Sequence, residues 1–299
     1  MSTHPEDRSL CLYAPAKINL FLRVLARRPD GYHELETWMQ KLALFDRITL
    51  TLRDGSGVRL RCTGGDLPAD ETNLAWRAAS VFFAASRQGT HHGVDITLEK
   101  NIPVAAGLGG GSSDAGTVLK GLNSLCGNEF SENVLLDIGR ELGADVPFFI
   151  TGHDAVLATG IGDRMKPVHS LDQCTFLLVN PGFAVSTRWV YENFALTKQL
   201  KNSTLLGSQK LSSDTFSLTG MTNDLERVTI GKYPEIEEIK KKLRAAGAVA
   251  ALMSGSGPTV FGVFPDQKGP HPVDISGVAQ KLRQEYGDKI FVARAGVGA

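Results

Sequence analysis

The residues best suited to chemistry lie in one glycine-rich stretch, PVAAGLGGGSSDAG at residues 103–116. Alternating apolar residues predict a strand over 94–98, and apolar residues at helical spacing from 118 to 126 predict a helix. A strand, a glycine-rich turn and a helix start direct backbone N–H groups and the positive end of the helix dipole at an anion. Glycine also permits a positive φ and a close approach of phosphate oxygens. This stretch therefore predicts a phosphate-binding loop.

Three common phosphate-binding motifs are absent at this loop. No lysine follows the glycines as in a P-loop, Ser112 replaces the third glycine of the dinucleotide fingerprint, and the protein-kinase motifs are missing. A tight strand-to-helix turn without function would have a similar composition. The unbroken run GLGGGSSD at residues 107–114 is more specific. It resembles the second motif of the galactokinase, homoserine kinase, mevalonate kinase and phosphomevalonate kinase family, the GHMP kinases.

The composition of the chain is that of an ordinary globular protein. Of its 299 residues 42% are hydrophobic, and 32 basic residues balance 32 acidic ones, which gives no electrostatic case for nucleic-acid or membrane partners. Four widely spaced cysteines without a C-x-x-C pair argue against a zinc site and favour a reducing compartment. No segment resembles a signal peptide or a membrane span, so we expect a cytoplasmic protein.

A second set of polar residues lies near the start of the chain. Alternating apolar residues over 16–24 predict a strand that places Lys17 and Asn19 together on its other face. Such side chains at the start of a strand are as often solvated as functional. The strand alone therefore leaves their role open.

Tyr32 and His33 follow a turn predicted at residues 29–31. Taken alone, a histidine after a turn is more often an exposed polar residue than a catalytic one. The run PAKINLFL at 15–22, followed by RPDGYH at 28–33, is similar to the first motif of one branch of the GHMP kinases. That branch phosphorylates 4-diphosphocytidyl-2-C-methyl-D-erythritol, and the DGYH segment is its more discriminating part.

The next segments predict a hairpin and a capped helix. Residues 48–52 and 58–62 alternate on either side of a turn at 54–57, which predicts a β-hairpin. Asn73 precedes apolar residues at helical spacing and is suited to cap that helix. In the resembled family, residues at the positions of Asn73 and Lys100 lie near the nucleotide base. Capping and nucleotide contact are compatible.

A candidate catalytic residue lies beyond the helix that follows the loop. Apolar residues over 134–142 predict another helix, which ends at Gly143. In the run GADVPFF at 143–149, Asp145 is suited to a turn or a helix cap. The run also matches the family segment that carries the catalytic aspartate. The resemblance therefore implies that Asp145 is the base and Lys17 its electrostatic partner.

The last third of the chain carries the third motif. Residues 253–261, MSGSGPTVF, resemble the third GHMP motif, although a plain hairpin turn would have a similar composition. Residues 198–220 are polar and without periodicity, which predicts a mobile surface excursion. The remaining periodicities predict a strand over 176–180, a helix from 186–187 that carries residues 189–191, helices over 236–246 and 275–286, and a last strand over 289–293.

The three motifs imply the two-domain α+β architecture of the GHMP kinases. Its N-terminal domain, over 1–165, would have a ribosomal-protein-S5-like fold and its C-terminal domain, over 166–299, a ferredoxin-like fold, with the active site between them. The resemblance implies ATP and Mg²⁺ as cofactors and transfer of the γ-phosphoryl group to the 2-hydroxyl of 4-diphosphocytidyl-2-C-methyl-D-erythritol in mevalonate-independent isoprenoid synthesis. It assigns no metal ligands and no oligomeric state.

The resemblance also assigns residues to the two substrates. The nucleotide would contact Asn73, Lys100, Pro103, Gly107, Leu108, Gly109, Gly110, Gly111, Ser112 and Ser113. The acceptor would contact Asn19, Tyr32, His33, Thr187, Tyr191, Gly255 and Ser256. In particular, Tyr32 and Tyr191 would sandwich the cytosine while His33 bonds to its edge, although a tyrosine at helical spacing is commonly a core residue.

Two other functions stay open at this point. A homoserine or mevalonate kinase would share the loop and Asp145 but would lack the DGYH segment. A non-catalytic nucleotide-binding module would be expected to have lost Asp145 or Lys17, and both are present.

Overall fold

The computed structural model describes residues 8–65, 67–87, 92–196, 220–266 and 273–297. The chain forms two compact units, each built from several segments. Unit 1 comprises Met1–Ala16, Leu44–Val104 and Gly109–His153, and unit 2 comprises Lys17–Ala43, Ala105–Leu108 and Asp154–Ala299. The expected boundary at residue 165 stays a prediction. The segment 198–219, for which a mobile excursion was expected, lies outside the described residues.

Two long strands each contribute one part to each unit. They are β1 (Ser9–Arg27) and β2 (His33–Asp54). Unit 1 adds β3 (Gly57–Thr63), α1 (Leu74–Ala85), β4 (His92–Glu99), α2 (Gly110–Leu125), α3 (Glu132–Leu142) and α4 (Val146–Ile150).

Strand β4 lies in the middle of the unit 1 sheet, so the predicted β-hairpin is wrong. It pairs antiparallel with β2, from Arg47 opposite Glu99, and parallel with β3, from Gly57 opposite Gly93. The turn before β3 lies close to Gly93, where a Cβ atom would be 2.7 Å from the Gly55 carbonyl oxygen. The alternation predicted each strand correctly. The pairing differs because β4 lies between β2 and β3.

The core of unit 1 is apolar and lies between the sheet and its helices. The inward faces of β2 and β4 pack against α1 and α2, as their periodicities predict. Its fully buried members include Ile48, Leu50, Phe82, Val94, Ile96, Val118 and Leu122. The core therefore fixes the end of β4 and the start of α2, which flank the glycine-rich stretch.

Unit 2 contains a four-stranded antiparallel sheet in the order β10-β7-β9-β8. In chain order its elements are β5 (Ala155–Gly160), β6 (Arg164–Pro167), β7 (Cys174–Val179), α5 (Thr187–Leu196), α6 (Glu226–Lys232), α7 (Glu235–Ala245), β8 (Ala250–Met253), β9 (Val260–Pro265), α8 (Ile275–Tyr286) and β10 (Ile290–Arg294). The first part of β2 pairs with β5, which pairs with β6. Two largely antiparallel sheets with packed helices make the chain α+β, as predicted. Among the described residues, no helix has the length and apolar character of a membrane span.

Candidate active site

Lys17 and Asn19 are buried on one face of β1, with 5% and 3% of their surface exposed, so the solvated interpretation is wrong. The Lys17 ammonium donates to Asn19 Oδ1 at 2.7 Å, and the amide of Asn19 donates to Thr37 Oγ1 at 2.8 Å. The Thr37 hydroxyl donates to the Phe21 carbonyl at 2.6 Å. Because this hydroxyl accepts from the amide nitrogen, the amide oxygen faces the ammonium. These three hydrogen bonds form a relay that orients the Lys17 ammonium through the amide oxygen of Asn19.

The β8–β9 turn brings the third motif to the same place in unit 2. Gly255 has a φ of +55°, and a Cβ atom there would lie 3.4 Å from Asn19 Oδ1 and 3.6 Å from Lys17 Nζ. The Ser254 hydroxyl donates to the Gly107 carbonyl at 2.8 Å. A Cβ atom on Gly107 would lie 2.1 Å from the Ser254 carbonyl oxygen. Gly107 is therefore required by close packing of the backbone, and Gly255 is favoured by its positive φ.

Two more residues of the glycine-rich stretch lie in unit 2. The backbone N–H of Lys17 donates to the Leu108 carbonyl at 2.9 Å, and that of Thr259 donates to the Ala106 carbonyl at 3.3 Å. Unit 2 thus joins parts of all three motifs around Lys17.

Asn223 supports the turn, a role that the sequence analysis missed. Its amide nitrogen donates to the Met253 and Gly255 carbonyls, both at 2.8 Å, and its amide oxygen accepts from the Leu225 N–H at 3.0 Å. The side chain is buried and binds the turn to the start of α6. The turn-forming pair of asparagine and aspartate at 223–224 was the available signal, and the partners of Asn223 about 30 residues away were not readable from the pattern.

Two hydroxyl groups predicted to contact the acceptor lie together in unit 2. Thr187 Oγ1 and Ser256 Oγ are 2.8 Å apart, with Thr187 exposed at the start of α5 and Ser256 buried in the turn. The helix is capped by Ser186, whose hydroxyl accepts from the Trp189 N–H at 3.3 Å. Thr187 is therefore not needed as the cap.

The rings predicted to bind the acceptor lie in unit 2, and their stacking on a cytosine stays a prediction. Tyr191 stacks on His33, with ring centroids 5.2 Å apart and an interplanar angle of 29°. Tyr32 is 61% exposed. Burial, helped by the positive charge of Arg27, lowers the pKa of His33, which favours a neutral imidazole. Its Nε2 is buried and has no hydrogen-bond partner among the described residues. The cluster thus combines an exposed ring with a buried, stacked imidazole.

In unit 1 the glycines open α2 rather than precede it. Gly109 is the N-cap with a φ of +71°, and no side chain of a described residue caps the helix. The N–H groups of Gly110, Gly111 and Ser112 lie in the first turn, where no intrahelical acceptor exists. The Ser113 hydroxyl is buried without a hydrogen-bond partner among the described residues. These unpaired donors are suited to an anion.

Gly110 lies directly over the side chain of Lys100. A Cβ atom on Gly110 would lie 3.2 Å from Lys100 Nζ and 3.2 Å from Ile102 Cγ2. A side chain at this position would therefore press on both residues. Pro103, also predicted to contact the nucleotide, is partly buried in the connection from β4 to the loop.

The Lys100 ammonium is held by two buried carboxylates that the sequence analysis missed. It donates to Asp114 Oδ2 at 2.7 Å and to Asp46 Oδ2. Burial would lower the pKa of Lys100, but the charges of Asp114 and Asp46 raise it above its usual value. Burial, against the opposing charge of Lys100, raises the pKa of Asp114 to about 7. Acidic residues within otherwise apolar segments were the only signal in the sequence.

Asn73 caps α1, as predicted. Its side-chain oxygen accepts from the Ala75 N–H at 2.9 Å, and its amide nitrogen donates to the Pro68 carbonyl at 2.9 Å. Only 9% of its surface is exposed. Its contact with a nucleotide base stays a prediction.

Asp145 stands at the N-cap position of α4, with Pro147 in the first turn of that helix. Its side chain makes no capping hydrogen bond, so a capping role does not account for the carboxylate. Asp145 belongs to unit 1 and Lys17 to unit 2. Their electrostatic partnership stays a prediction.

Comparison with known families decides which fold this is. The family model described as the N-terminal domain of GHMP kinases matches residues 73–153, and that of the GHMP kinase C-terminal domain matches residues 211–288. The chain belongs to the GHMP kinases. The predicted two-domain fold class and the predicted ATP-dependent kinase are thereby confirmed, and the non-catalytic module is excluded.

Individual relatives of this GHMP kinase are more specific. It is 50% identical over 286 residues to the 4-diphosphocytidyl-2-C-methyl-D-erythritol kinase of Desulfotalea psychrophila, covering 96% of this chain and 95% of the relative. A crystal structure of 4-(cytidine 5′-diphospho)-2C-methyl-D-erythritol kinase matches with a TM-score of 0.74 and 35% identity over 97% of this chain and 100% of that one. A homoserine kinase structure from Cytophaga hutchinsonii matches with a TM-score of 0.69 and 20% identity over 99% and 97% of the two chains, which shows the shared fold alone.

Proposed function

We propose that this GHMP kinase transfers the γ-phosphoryl group of ATP to the 2-hydroxyl of 4-diphosphocytidyl-2-C-methyl-D-erythritol, a step of mevalonate-independent isoprenoid synthesis. The observation that carries the choice of acceptor is the stacked pair of His33 and Tyr191 in unit 2, with the exposed ring of Tyr32 next to His33 in the chain. A cytidine diphosphate group needs a platform for an aromatic base, whereas homoserine and mevalonate have no base to stack.

Neutral hydrogen-bonding groups in this cluster suit a cytosine. A neutral imidazole can donate from one ring nitrogen and accept with the other, as the edge of a pyrimidine requires. The lowered pKa of His33 favours this form. Tyr32 has an exposed ring face for stacking. We assign base stacking to Tyr32 and Tyr191, hydrogen bonding to His33, and contacts to the rest of the acceptor to Asn19, Thr187, Gly255 and Ser256.

The nucleotide is assigned to the start of α2 and the segments before it. The uncapped N–H groups at this helix start and the unpaired Ser113 hydroxyl fit a triphosphate. When bound, ATP supplies the transferred phosphoryl group. Asn73 and Lys100 are assigned to the side of the nucleotide base and residues 103–113 to the phosphates.

The chemical step needs one proton acceptor and one cation from the protein. Asp145 accepts or orients the proton of the acceptor hydroxyl, since its carboxylate is not used to cap α4. The Lys17 ammonium stabilises negative charge on the transferring group, and Asn19 and Thr37 orient that ammonium.

Mg²⁺ commonly accompanies ATP in phosphoryl transfer. Among the described residues, no group of three or more histidine, cysteine, aspartate or glutamate side chains is arranged to hold a metal ion. The metal would therefore be held largely by phosphate oxygens, as Mg²⁺ often is. We assign no protein ligand to the metal.

The test is ATP turnover against three acceptors. ADP formation is measured with 4-diphosphocytidyl-2-C-methyl-D-erythritol, mevalonate or homoserine, with an acceptor-free reaction as the control. We expect turnover with the cytidylyl acceptor alone and a product that carries the new phosphate at the 2-position. Faster turnover with mevalonate or homoserine would assign this chain to a sister activity.

A further inference from the structure

Asp46 and Asp114, the two carboxylates beside Lys100, have no role in the mechanism above. Asp46 is saturated: one oxygen accepts from Lys100, and the other accepts from the backbone N–H groups of Asn101 at 2.6 Å and Ile102 at 2.8 Å. These bonds use both oxygens of Asp46. It acts as a fixed charge that fastens the end of β4.

Asp114 is different, because only one of its oxygens is used. Its Oδ2 accepts from Lys100 at 2.7 Å, whereas its buried Oδ1 has no hydrogen-bond partner among the described residues. Only 2% of Asp114 is exposed. A buried carboxylate with an unpaired oxygen loses little by accepting a proton. Asp114 is therefore the member of the cluster that can change its charge.

The groups around Asp114 fix the net charge of the cluster. They are Lys100 after β4, Asp46 on β2 and the Cys62 thiol on β3, whose pKa is raised by burial and then by Asp114. With both carboxylates ionised, the single ammonium leaves one net negative charge. Protonation of Asp114 makes the cluster neutral. Its pKa of about 7 places this change near physiological pH.

The cluster lies beneath the residues assigned to the triphosphate. A Cβ atom on Gly110 would be 3.2 Å from Lys100 Nζ, and Asp114 follows Gly110 by about one turn of α2. A negative charge here opposes an anion bound at the N–H groups of the first turn, with little screening because the cluster is buried.

We propose that Asp114 is a positioning residue that acts through Lys100, and that its protonation state sets the affinity of the α2 start for the nucleotide triphosphate. The inference rests on the proposed function in so far as it places ATP at this helix start. ATP binding then favours the protonated form of Asp114, so the protein takes up a proton as the anion binds.

The sign of the pH dependence follows from the charge. The cluster is neutral below about pH 7 and negative above it, so the affinity for ATP falls as the pH rises. In the Asp114→Asn variant the amide oxygen can still accept from Lys100, but the cluster stays neutral at every pH in this range. The variant should therefore bind ATP better than the unaltered protein at alkaline pH. A merely structural role predicts weaker binding at every pH.

The experiment is a titration of both proteins with ATP and excess Mg²⁺ at about pH 6 and about pH 8, one unit on either side of the pKa. The ratio of the two dissociation constants cancels the titration of the nucleotide itself. We expect the dissociation constant of the unaltered protein, divided by that of the variant, to rise by about fivefold or more between the lower and the higher pH. This is the usual size of a coupling between two sites. The control is Asp137→Asn, an exposed aspartate of α3, which should leave the ratio unchanged.

A ratio that stays constant with pH would overturn the inference. If Asp114→Asn does not fold, proton uptake by the unaltered protein decides instead, measured by calorimetry in two buffers of different ionisation enthalpy. Uptake on ATP binding near pH 7 supports the proposal, and its absence overturns it. ATP binding without turnover of the cytidylyl acceptor would contradict the proposed function but not this inference. Turnover of that acceptor, with a ratio of ATP dissociation constants that stays constant with pH, would contradict this inference but not the proposed function.

Discussion

Two buried lysines, Lys100 of unit 1 and Lys17 of unit 2, are assigned to the substrates, and they are held in different ways. Lys100 of unit 1 donates to two carboxylates and is 7% exposed. Lys17 of unit 2 is 5% exposed and donates to the amide oxygen of Asn19. A carboxylate offsets the charge of an ammonium, whereas an amide oxygen orients the ammonium through a neutral hydrogen bond. Burial alone therefore does not tell which lysine serves a substrate.

The difference indicates what each lysine contributes. Paired carboxylates make the Lys100 side chain a support for the end of β4 and the start of α2. The hydrogen bonds through Asn19 and Thr37 orient the Lys17 ammonium, and the role proposed for it is to stabilise charge on a reacting phosphoryl group. The following variants test this contrast between a supporting lysine and a reacting one.

Asp145→Asn should have the largest effect, because a carboxylate that handles the proton cannot be replaced by an amide. We expect kcat to fall by ~10²–10⁴-fold, the usual range for removal of a general base. ATP affinity should remain nearly unchanged, as measured by nucleotide titration. Retention of more than half of the original kcat would remove Asp145 from the mechanism.

Gly110→Val tests the support beneath α2. The β-branched side chain would meet Lys100 and Ile102, because each already lies 3.2 Å from the place that a Cβ atom on Gly110 would take. Overpacking costs ~1–3 kcal/mol, which corresponds to roughly 5- to 150-fold in ATP affinity if it is expressed at the loop. Titration and thermal unfolding are measured together.

Gly152→Val is the matched control, because a Cβ atom there meets nothing within 4 Å. It should leave ATP affinity unchanged. Unchanged ATP affinity in Gly110→Val would show that the glycine turn is only structural.

Thr37→Val tests the neutral relay of unit 2. The variant removes the acceptor of the Asn19 amide nitrogen and so loosens the acceptor of Lys17. An unsatisfied buried amide costs ~1–3 kcal/mol, and we expect about a tenfold loss of kcat with little change in KM for ATP. Thr37→Ser keeps the hydroxyl and should restore most of the activity. Equal activity of both variants with the unaltered protein would show that the relay does not position Lys17.

Much of the local structure could be predicted from the sequence. The alternation over β4, the helical spacing of α2, α7 and α8, and the cap of α1 by Asn73 all depend on residues close together in the chain. The motifs also led to the family, because each is a contiguous run. Patterns of this kind are readable because the residues that cause the structure are neighbours in the chain.

Contacts between distant residues could not be predicted in the same way. The pairing of β3 with β4 rather than β2 depends on a strand that follows after α1. Lys100 is 54 residues from Asp46, so the charge cluster leaves no periodic signal. The burial of Lys17 depends on Thr37 and on the β8–β9 turn. Each of these is set by tertiary packing.

The most direct test of the central claim, that unit 2 recognises the cytosine of the acceptor, is the pair of KM values in Tyr32→Ala. Tyr32 is 61% exposed, so its removal should cost the fold little. Tyr13→Ala is the matched control, since Tyr13 is 62% exposed and lies in unit 1. Loss of base stacking predicts that KM for the cytidylyl acceptor rises by at least about fivefold in Tyr32→Ala, while KM for ATP stays within about twofold. Weaker ATP binding with an unchanged KM for the acceptor would contradict the assignment and favour another GHMP substrate.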